Sequence, residues 1–134
     1  MKLRQCVFVC KDLESSREEL CDILGIEVAY RDPGVAKWGL VNVVCPIGHD
    51  FLEIVTPDQP GTSAGRYIER RKGDGGYMVI IQVPDAKAER ARVTGLGVRA
   101  VAQKDLPEYN YTHFHPSDTS GVLLSLDTTF APPG

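Results

Sequence analysis

The sequence has no apolar stretch near the ~20 residues that a helix needs to cross a bilayer; its longest apolar runs are strand-length and broken by polar residues. It has no excess of basic charge either: 15 Lys and Arg stand against 18 Asp and Glu, a formal net charge of −3, so no basic stripe is present to neutralise a run of phosphates. Met1-Lys2-Leu3-Arg4-Gln5-Cys6 lacks the charged, apolar and small-residue regions of a secretory signal. These absences set the expectation of a soluble, cytoplasmic protein without nucleic-acid or membrane partners. Among four cysteines, Cys6, Cys10, Cys21 and Cys45, there is no CxxC knuckle of the zinc-binding kind. Cys6 and Cys10, four residues apart in one extended run, lie ~13 Å from each other, too far for a direct disulfide. Buried free thiols are expected.

What is present is a chain of 134 residues, 43% hydrophobic and 25% charged, enough for one domain with a real core. Its most informative property is internal repetition. The alternating run Gln5-Cys6-Val7-Phe8-Val9-Cys10-Lys11-Asp12 returns 73 positions later as Met78-Val79-Ile80-Ile81-Gln82-Val83-Pro84-Asp85. Each reads as a strand followed by an aspartate that caps a helix. The helical pattern after Asp12 places Leu13, Leu20, Ile23 and Leu24 on one face and ends at Gly25; the pattern from Ala86 to Leu96 ends at Gly97.

Three β-like segments follow each helix. In the first half they are Ile26 to Tyr30, Lys37 to Pro46 and Asp50 to Thr56; in the second, Val98 to Val101, Tyr109 to His115 and Gly121 to Asp127. Each half is therefore βαβββ. The predicted fold is α+β: two βαβββ modules, residues 3–57 and 76–130, whose curved mixed sheets enclose a cup-shaped pocket with helices on the outer faces. Residues 58–75, rich in Pro, Gly and charge, form a linker with a short helix near Ala64 to Arg71.

Strand alternation sorts side chains into two faces. Cys6, Phe8, Cys10, Leu52, Ile54, Tyr77, Val79, Ile81, Val122, Leu124 and Leu126 make an apolar face suited to helix cover. The opposite face mixes apolar residues with Gln5, Glu53, Gln82, Ser125 and Asp127. An apolar wall with a few placed polar groups is the usual make-up of a ligand pocket.

The paired βαβββ layout, the openings at Asp12 and Asp85, and Phe51-Leu52-Glu53-Ile54-Val55-Thr56-Pro57 resemble the vicinal oxygen chelate superfamily, which includes glyoxalase I, bleomycin-resistance proteins, extradiol dioxygenases and methylmalonyl-CoA epimerase. The stretch Arg66-Tyr67-Ile68-Glu69-Arg70-Arg71 through Gly73-Asp74-Gly75 is similar to the linker of the epimerase and its glyoxalase-like relatives. The resemblance implies metal-ligand places at Gln5, Glu53, Met78 and Ser125. A thioether and a neutral hydroxyl are poor ligands for a hard divalent cation, so no cofactor is expected and a divalent metal is disfavoured. If a metal binds, Glu53, His113, His115 and Gln5 are its candidate ligands, because Tyr109, Tyr111, His113 and His115 alternate onto one strand face.

Glu53, flanked by Leu52 and Ile54, needs a wet cavity or a partner such as Gln5; it is the candidate general base, with His113 and His115 as acid or base. Gln5, Met78, Ser125 and Tyr111 are the expected pocket residues. Arg66, Arg70 and Arg71 either hold an anionic substrate or form a solvated helix face. The expected function is a glyoxalase-like, lyase- or isomerase-like enzyme acting on a small carbonyl or enolisable compound by acid/base chemistry. The alternative is a metal-free protein of the bleomycin-resistance type that sequesters a small molecule. A small-molecule ligand and a homodimer are the expected partners.

Overall fold

The computed structural model describes residues 1–27 and 29–130. In chain order its elements are strand β1 (Lys2–Val9), helix α1 (Leu13–Leu24), β2 (Leu40–Ile47), β3 (Asp50–Pro57), α2 (Ser63–Arg71), β4 (Gly75–Gln82), α3 (Ala86–Gly95), β5 (Ala100–Asp105), β6 (Tyr109–Phe114) and β7 (Leu123–Thr129). Short 3-10 turns occupy Pro33–Trp38 and Pro116–Asp118. The chain divides into two compact units, one of Cys6–Tyr77 and one of Met1–Gln5 with Met78–Gly134.

In the unit Cys6–Tyr77, β2 and β3 form an antiparallel hairpin, with Val43 opposite Ile54 and Val44 opposite Glu53. The Cys10 amide donates to the Val55 carbonyl at 3.0 Å, tying the end of β1 to β3. Helix α1 covers one face of this sheet. There Cys10, Leu13, Val43, Cys45 and Ile54 form a buried cluster, with Leu20, Cys21 and Leu52 packed against it. This is the apolar face expected from alternation, except that Phe8 remains 37% exposed. All four cysteines are free thiols, and burial pushes the Cys45 thiol above its ordinary pKa, with neighbouring Cys21 adding to the effect.

In the second unit the strand order is β4-β7-β6-β5, with β4 parallel to β7 and the other pairs antiparallel. Helix α3 covers one face through Val83, Ala86, Phe114 and Leu126, joined by Ile81, Val93 and Val98. Arg90 on α3 pairs with Asp105 of β5 and donates to the Thr112 hydroxyl of β6 at 2.7 Å, which anchors the helix to the sheet edge.

The repeated helix openings are realised by the same chemistry. The Asp12 side chain accepts from the Ser15 amide and the Asp85 side chain from the Ala88 amide, each at 3.1 Å. Both caps satisfy one of the first amides of a helix, which have no carbonyl partner within it. Gly25, at φ 67°, closes α1 in the left-handed conformation as its position in the sequence implies. The short linker helix is α2, capped by the Thr62 hydroxyl, which accepts from the Gly65 amide at 2.9 Å.

Several expected segments differ. Ile26 to Tyr30 is not a strand among its described residues: it contributes only a bridge between Tyr30 and Val44, and Val28 lies outside the described residues. Among the described residues there are therefore seven strands where the sequence pattern counts eight. Lys37 and Trp38 belong to the 3-10 turn that starts at the Asp32 cap, with Pro33 pre-setting φ, and β2 begins only after Gly39 at φ 71°. A Cβ at Gly39 would stand 2.7 Å from the Thr62 methyl, so the start of β2 is pressed against the α2 cap. The strand from Val98 starts at Ala100 and runs on to Asp105; β7 runs from Leu123 to Thr129, two residues later than expected, after Ser120 and Gly121 at positive φ.

Removing either aspartate cap should cost about 1 kcal/mol. Asp12→Ala and Asp85→Ala are each expected to lower the urea midpoint by that equivalent without changing the slope of the transition.

Candidate functional site

In the unit Cys6–Tyr77 the hairpin register puts Asn42, Val44, Glu53 and Val55 on the face opposite α1. Glu53 is only 7% exposed, and its Oε2 accepts from Asn42 Nδ2 at 2.7 Å. Asn42 Oδ1 in turn accepts from the Asp32 amide at 2.9 Å. A carboxyl carried into a sheet needs such a donor, because desolvation without compensation costs several kcal/mol. The donor shown beside Glu53 is thus Asn42, which the sequence pattern does not single out. The signal was a polar residue inside the apolar run Leu40 to Cys45, diagonal to Glu53 once the hairpin is closed.

In the second unit β6 and β7 bring a larger polar group together. Tyr111 stands opposite Asp127 and His113 opposite Ser125, while Ile80 and Gln82 of β4 stand on the other side of Ser125 and Asp127. The Tyr111 and His113 rings stack with centroids 4.8 Å apart, and Tyr109 lies 5.9 Å from Tyr111. Asp127, 1% exposed, accepts from the Ser125 hydroxyl on Oδ1 and from the Tyr109 hydroxyl on Oδ2. Arg4 sits over the Tyr109 ring, 5.7 Å from its centroid. Burial pushes the Asp127 carboxyl up to about 7, with Arg4 pulling the other way.

Of the residues expected to act, His113, Ser125 and Tyr111 therefore share one face of one unit, and Glu53 belongs to the other. Met78 pairs with Leu123 at the start of the β4–β7 ladder. Gln5 is half-buried near the end of the segment Met1–Gln5 that belongs with the second unit. His115 does not continue the row. The strand ends at Phe114, and His115 caps the 3-10 turn, its Nδ1 accepting from the Ser117 amide at 3.0 Å. Pro116 causes this, since it cannot donate to a ladder and starts a turn readily.

The places implied for a metal do not fit one. The Ser125 hydroxyl is committed to Asp127 and Met78 offers a thioether. Among the described residues, no three His, Cys, Asp or Glu side chains cluster as a metal ion requires. Two of the linker arginines make backbone contacts: Arg66 donates to the Gly61 carbonyl and Arg71 to the Asp74 carbonyl, each at 2.9 Å. A cavity of about 300 Å³ lies in the unit Cys6–Tyr77 beside Glu14, Arg17, Tyr30, Arg31 and Val43. It is lined by none of the expected site residues, and its charged rim is an ion-pair cluster in which Arg17 and Arg31 meet on Glu14. Among the described residues, no helix is long and apolar enough to cross a membrane.

The sequence model of the glyoxalase-like domain family matches residues 6–134. A comparison with curated proteins gives no significant match. Among solved structures, a variant of Streptomyces coelicolor methylmalonyl-CoA epimerase in complex with 2-nitronate-propionyl-CoA is 22% identical with a TM-score of 0.85, over 98% of this chain and 99% of that one. The epimerase from Mycobacterium tuberculosis is 21% identical with a TM-score of 0.83, over 98% and 89%. A hypothetical protein from Bacillus halodurans reaches 0.86 at 16% identity, over 99% and 97%. Identities this low establish the fold alone.

Asp127 generates a pH prediction. Its folded-state pKa of about 7 stands above the ordinary 3.8, so between these values the native state holds a proton that the unfolded chain has released. Stability should therefore fall as pH rises from about 4 to about 7, by up to about 4 kcal/mol. Asp127→Asn should flatten that dependence in denaturant titrations. For metal, the purified protein is expected to carry less than one equivalent of zinc, nickel, cobalt or manganese and to melt at the same temperature in chelator. A full equivalent, lost in His113→Ala, would show that the histidine has rebuilt a site.

Proposed function

Because the chain belongs to the glyoxalase-like domain family, we propose that it is an enzyme that moves a proton on a small carbonyl or enolisable compound, with the buried Glu53 carboxyl and His113 as the proton-transfer groups. One observation carries this: the Glu53 carboxyl, buried in the sheet, is met and oriented by the Asn42 side-chain amide at 2.7 Å. A buried carboxyl held in one orientation by a fixed donor is the kind of group that general-base chemistry uses.

In this proposal Glu53 takes a proton from the carbon next to a carbonyl, the electron pair passes into an enolate, and a proton returns to the same carbon. His113, stacked on Tyr111, is a second proton-transfer group, and Tyr111 and Met78 contribute to substrate contact. His115, engaged at its turn, keeps a lesser claim to a catalytic role. A structural relative is a methylmalonyl-CoA epimerase in complex with methylmalonyl-CoA and NH4+, which makes acyl-CoA thioesters the first compounds to try. The proposal also takes the protein as a cytoplasmic homodimer.

A sequestering protein of the bleomycin-resistance type is the second reading, favoured by Met78 and Ser125 standing where the resemblance implies metal ligands.

Thermal-shift screening of acyl-CoA thioesters, small carbonyls and aromatic compounds should find one that raises the melting temperature, since a native-state ligand stabilises by about 2.7 kcal/mol at a hundredfold excess over its Kd. Incubation of that compound in D2O should introduce deuterium at the carbon next to its carbonyl. Glu53→Gln is expected to cut the exchange by about 10²-fold or more while the thermal shift survives. Binding without exchange in the unaltered protein, with the shift intact in Glu53→Gln, would favour the sequestering protein.

A further inference from the structure

Asn42 lies at the centre of a two-step hydrogen-bond chain whose direction is fixed by chemistry. It is 2% exposed and sits on β2 opposite Val55, diagonal to Glu53. Its Oδ1 faces the Asp32 amide at 2.9 Å, and a backbone amide can only donate. The amide oxygen must therefore point to Asp32, which leaves Nδ2 to point to Glu53 Oε2 at 2.7 Å. The Asp32 amide is itself held in place. The Asp32 side chain accepts from the Gly34 amide at 2.9 Å, and two residues earlier Tyr30 exchanges both backbone hydrogen bonds with Val44, the residue opposite Glu53.

Glu53 Oε2 thus faces a group that always donates. A protonated oxygen is the weaker acceptor, so the Asn42 donor favours Oε2 as the accepting oxygen and directs any proton that Glu53 carries to Oε1. We propose that Asn42 is the positioning residue of Glu53: it fixes the carboxyl's orientation and directs proton exchange to Oε1. This rests on the role of Glu53 put forward above, and it adds a residue that none of the expected sites includes.

Two variants make the test: Asn42→Asp keeps the shape and the acceptor for the Asp32 amide while turning the donor beside Glu53 into a charged acceptor, and Asn42→Ala removes the donor without adding charge. In protein labelled with 13C at the glutamate carboxyl, the Glu53 titration midpoint should rise by about one pH unit or more in Asn42→Asp, and also rise in Asn42→Ala, which loses the donor to the ionised form. A purely structural role for Asn42 would lower the melting temperature and leave that midpoint in place in Asn42→Ala, which adds no charge beside Glu53. In the deuterium-exchange assay with the compound found by thermal shift, both variants should lose rate about 10²-fold with KM changed less than about threefold.

An unchanged Glu53 midpoint in the folded Asn42→Asp protein overturns the proposal, and needs no substrate to be known. If Glu53→Gln retains exchange, the assignment of Glu53 fails. If Glu53→Gln abolishes exchange while Asn42→Ala and Asn42→Asp leave rate and midpoint unchanged, that assignment stands and the positioning role of Asn42 fails. If Asn42→Ala does not fold, the isosteric Asn42→Asp carries the test alone.

Discussion

A carboxyl group carried into the middle of a sheet must be met by donors, and the arrangement of both units follows from that requirement. Losing water around an ionised carboxylate costs far more than any one apolar contact returns. Asp127 meets the requirement with two hydroxyls from its own sheet, and Glu53 meets it with an amide from the neighbouring strand of its hairpin. Strand register is fixed at the same time. A slip of one residue in β2 would turn Asn42 to the α1 side and put Val41 or Val43 beside Glu53, so the polar pair and the apolar cluster of Val43, Cys45 and Ile54 specify one pairing together.

The two units open with the same device and then diverge. Asp12 and Asp85 cap their helices at equal distance, yet α1 covers its sheet with large aliphatic groups whereas α3 does so partly through Arg90, which reaches Asp105 and Thr112. The opposite faces diverge as well, one built on Asn42 and Glu53, the other on the aromatic row of Tyr109, Tyr111 and His113. One repeated backbone plan thus supports two different polar groups, as expected where function resides in side chains placed on a shared fold.

Much of this was legible in the sequence because it is local. Period-two alternation found the strands, an aspartate after each strand found the caps, and a glycine after each helix found its end. The sorting of faces placed Glu53, Ser125 and Asp127 away from the helices. What escaped was set by pairing or by turn chemistry. Ile26 to Tyr30 has the composition of a strand but finds only Val44 as a bridge partner. His115 fits the alternation but precedes Pro116, and its imidazole serves the turn. Asn42 lies eleven positions from Glu53, and nothing in the apolar run around it reveals a diagonal neighbour until the hairpin register is known. Asp127 was visible as a polar residue on the right face, but its elevated pKa depends on burial that alternation does not measure.

The grouping of Met1–Gln5 with Met78–Gly134 bears on the order in which the protein can form during synthesis. Residues 1–5 are made before the unit Cys6–Tyr77 but belong with a unit made after it. Cys6–Tyr77 has all its strands available once Tyr77 has emerged, and its hairpin closes over a four-residue span of chain. Arg4 cannot reach the Tyr109 ring, nor act on Asp127, until β6 and β7 have been made. At about 5–20 residues per second that delay is several seconds, and closing so long a loop adds an entropic cost that grows only with the logarithm of its length. During that interval Leu3 and its neighbours lack the partner strands of their own unit, and an unpaired strand end of that kind is open to wrong pairing.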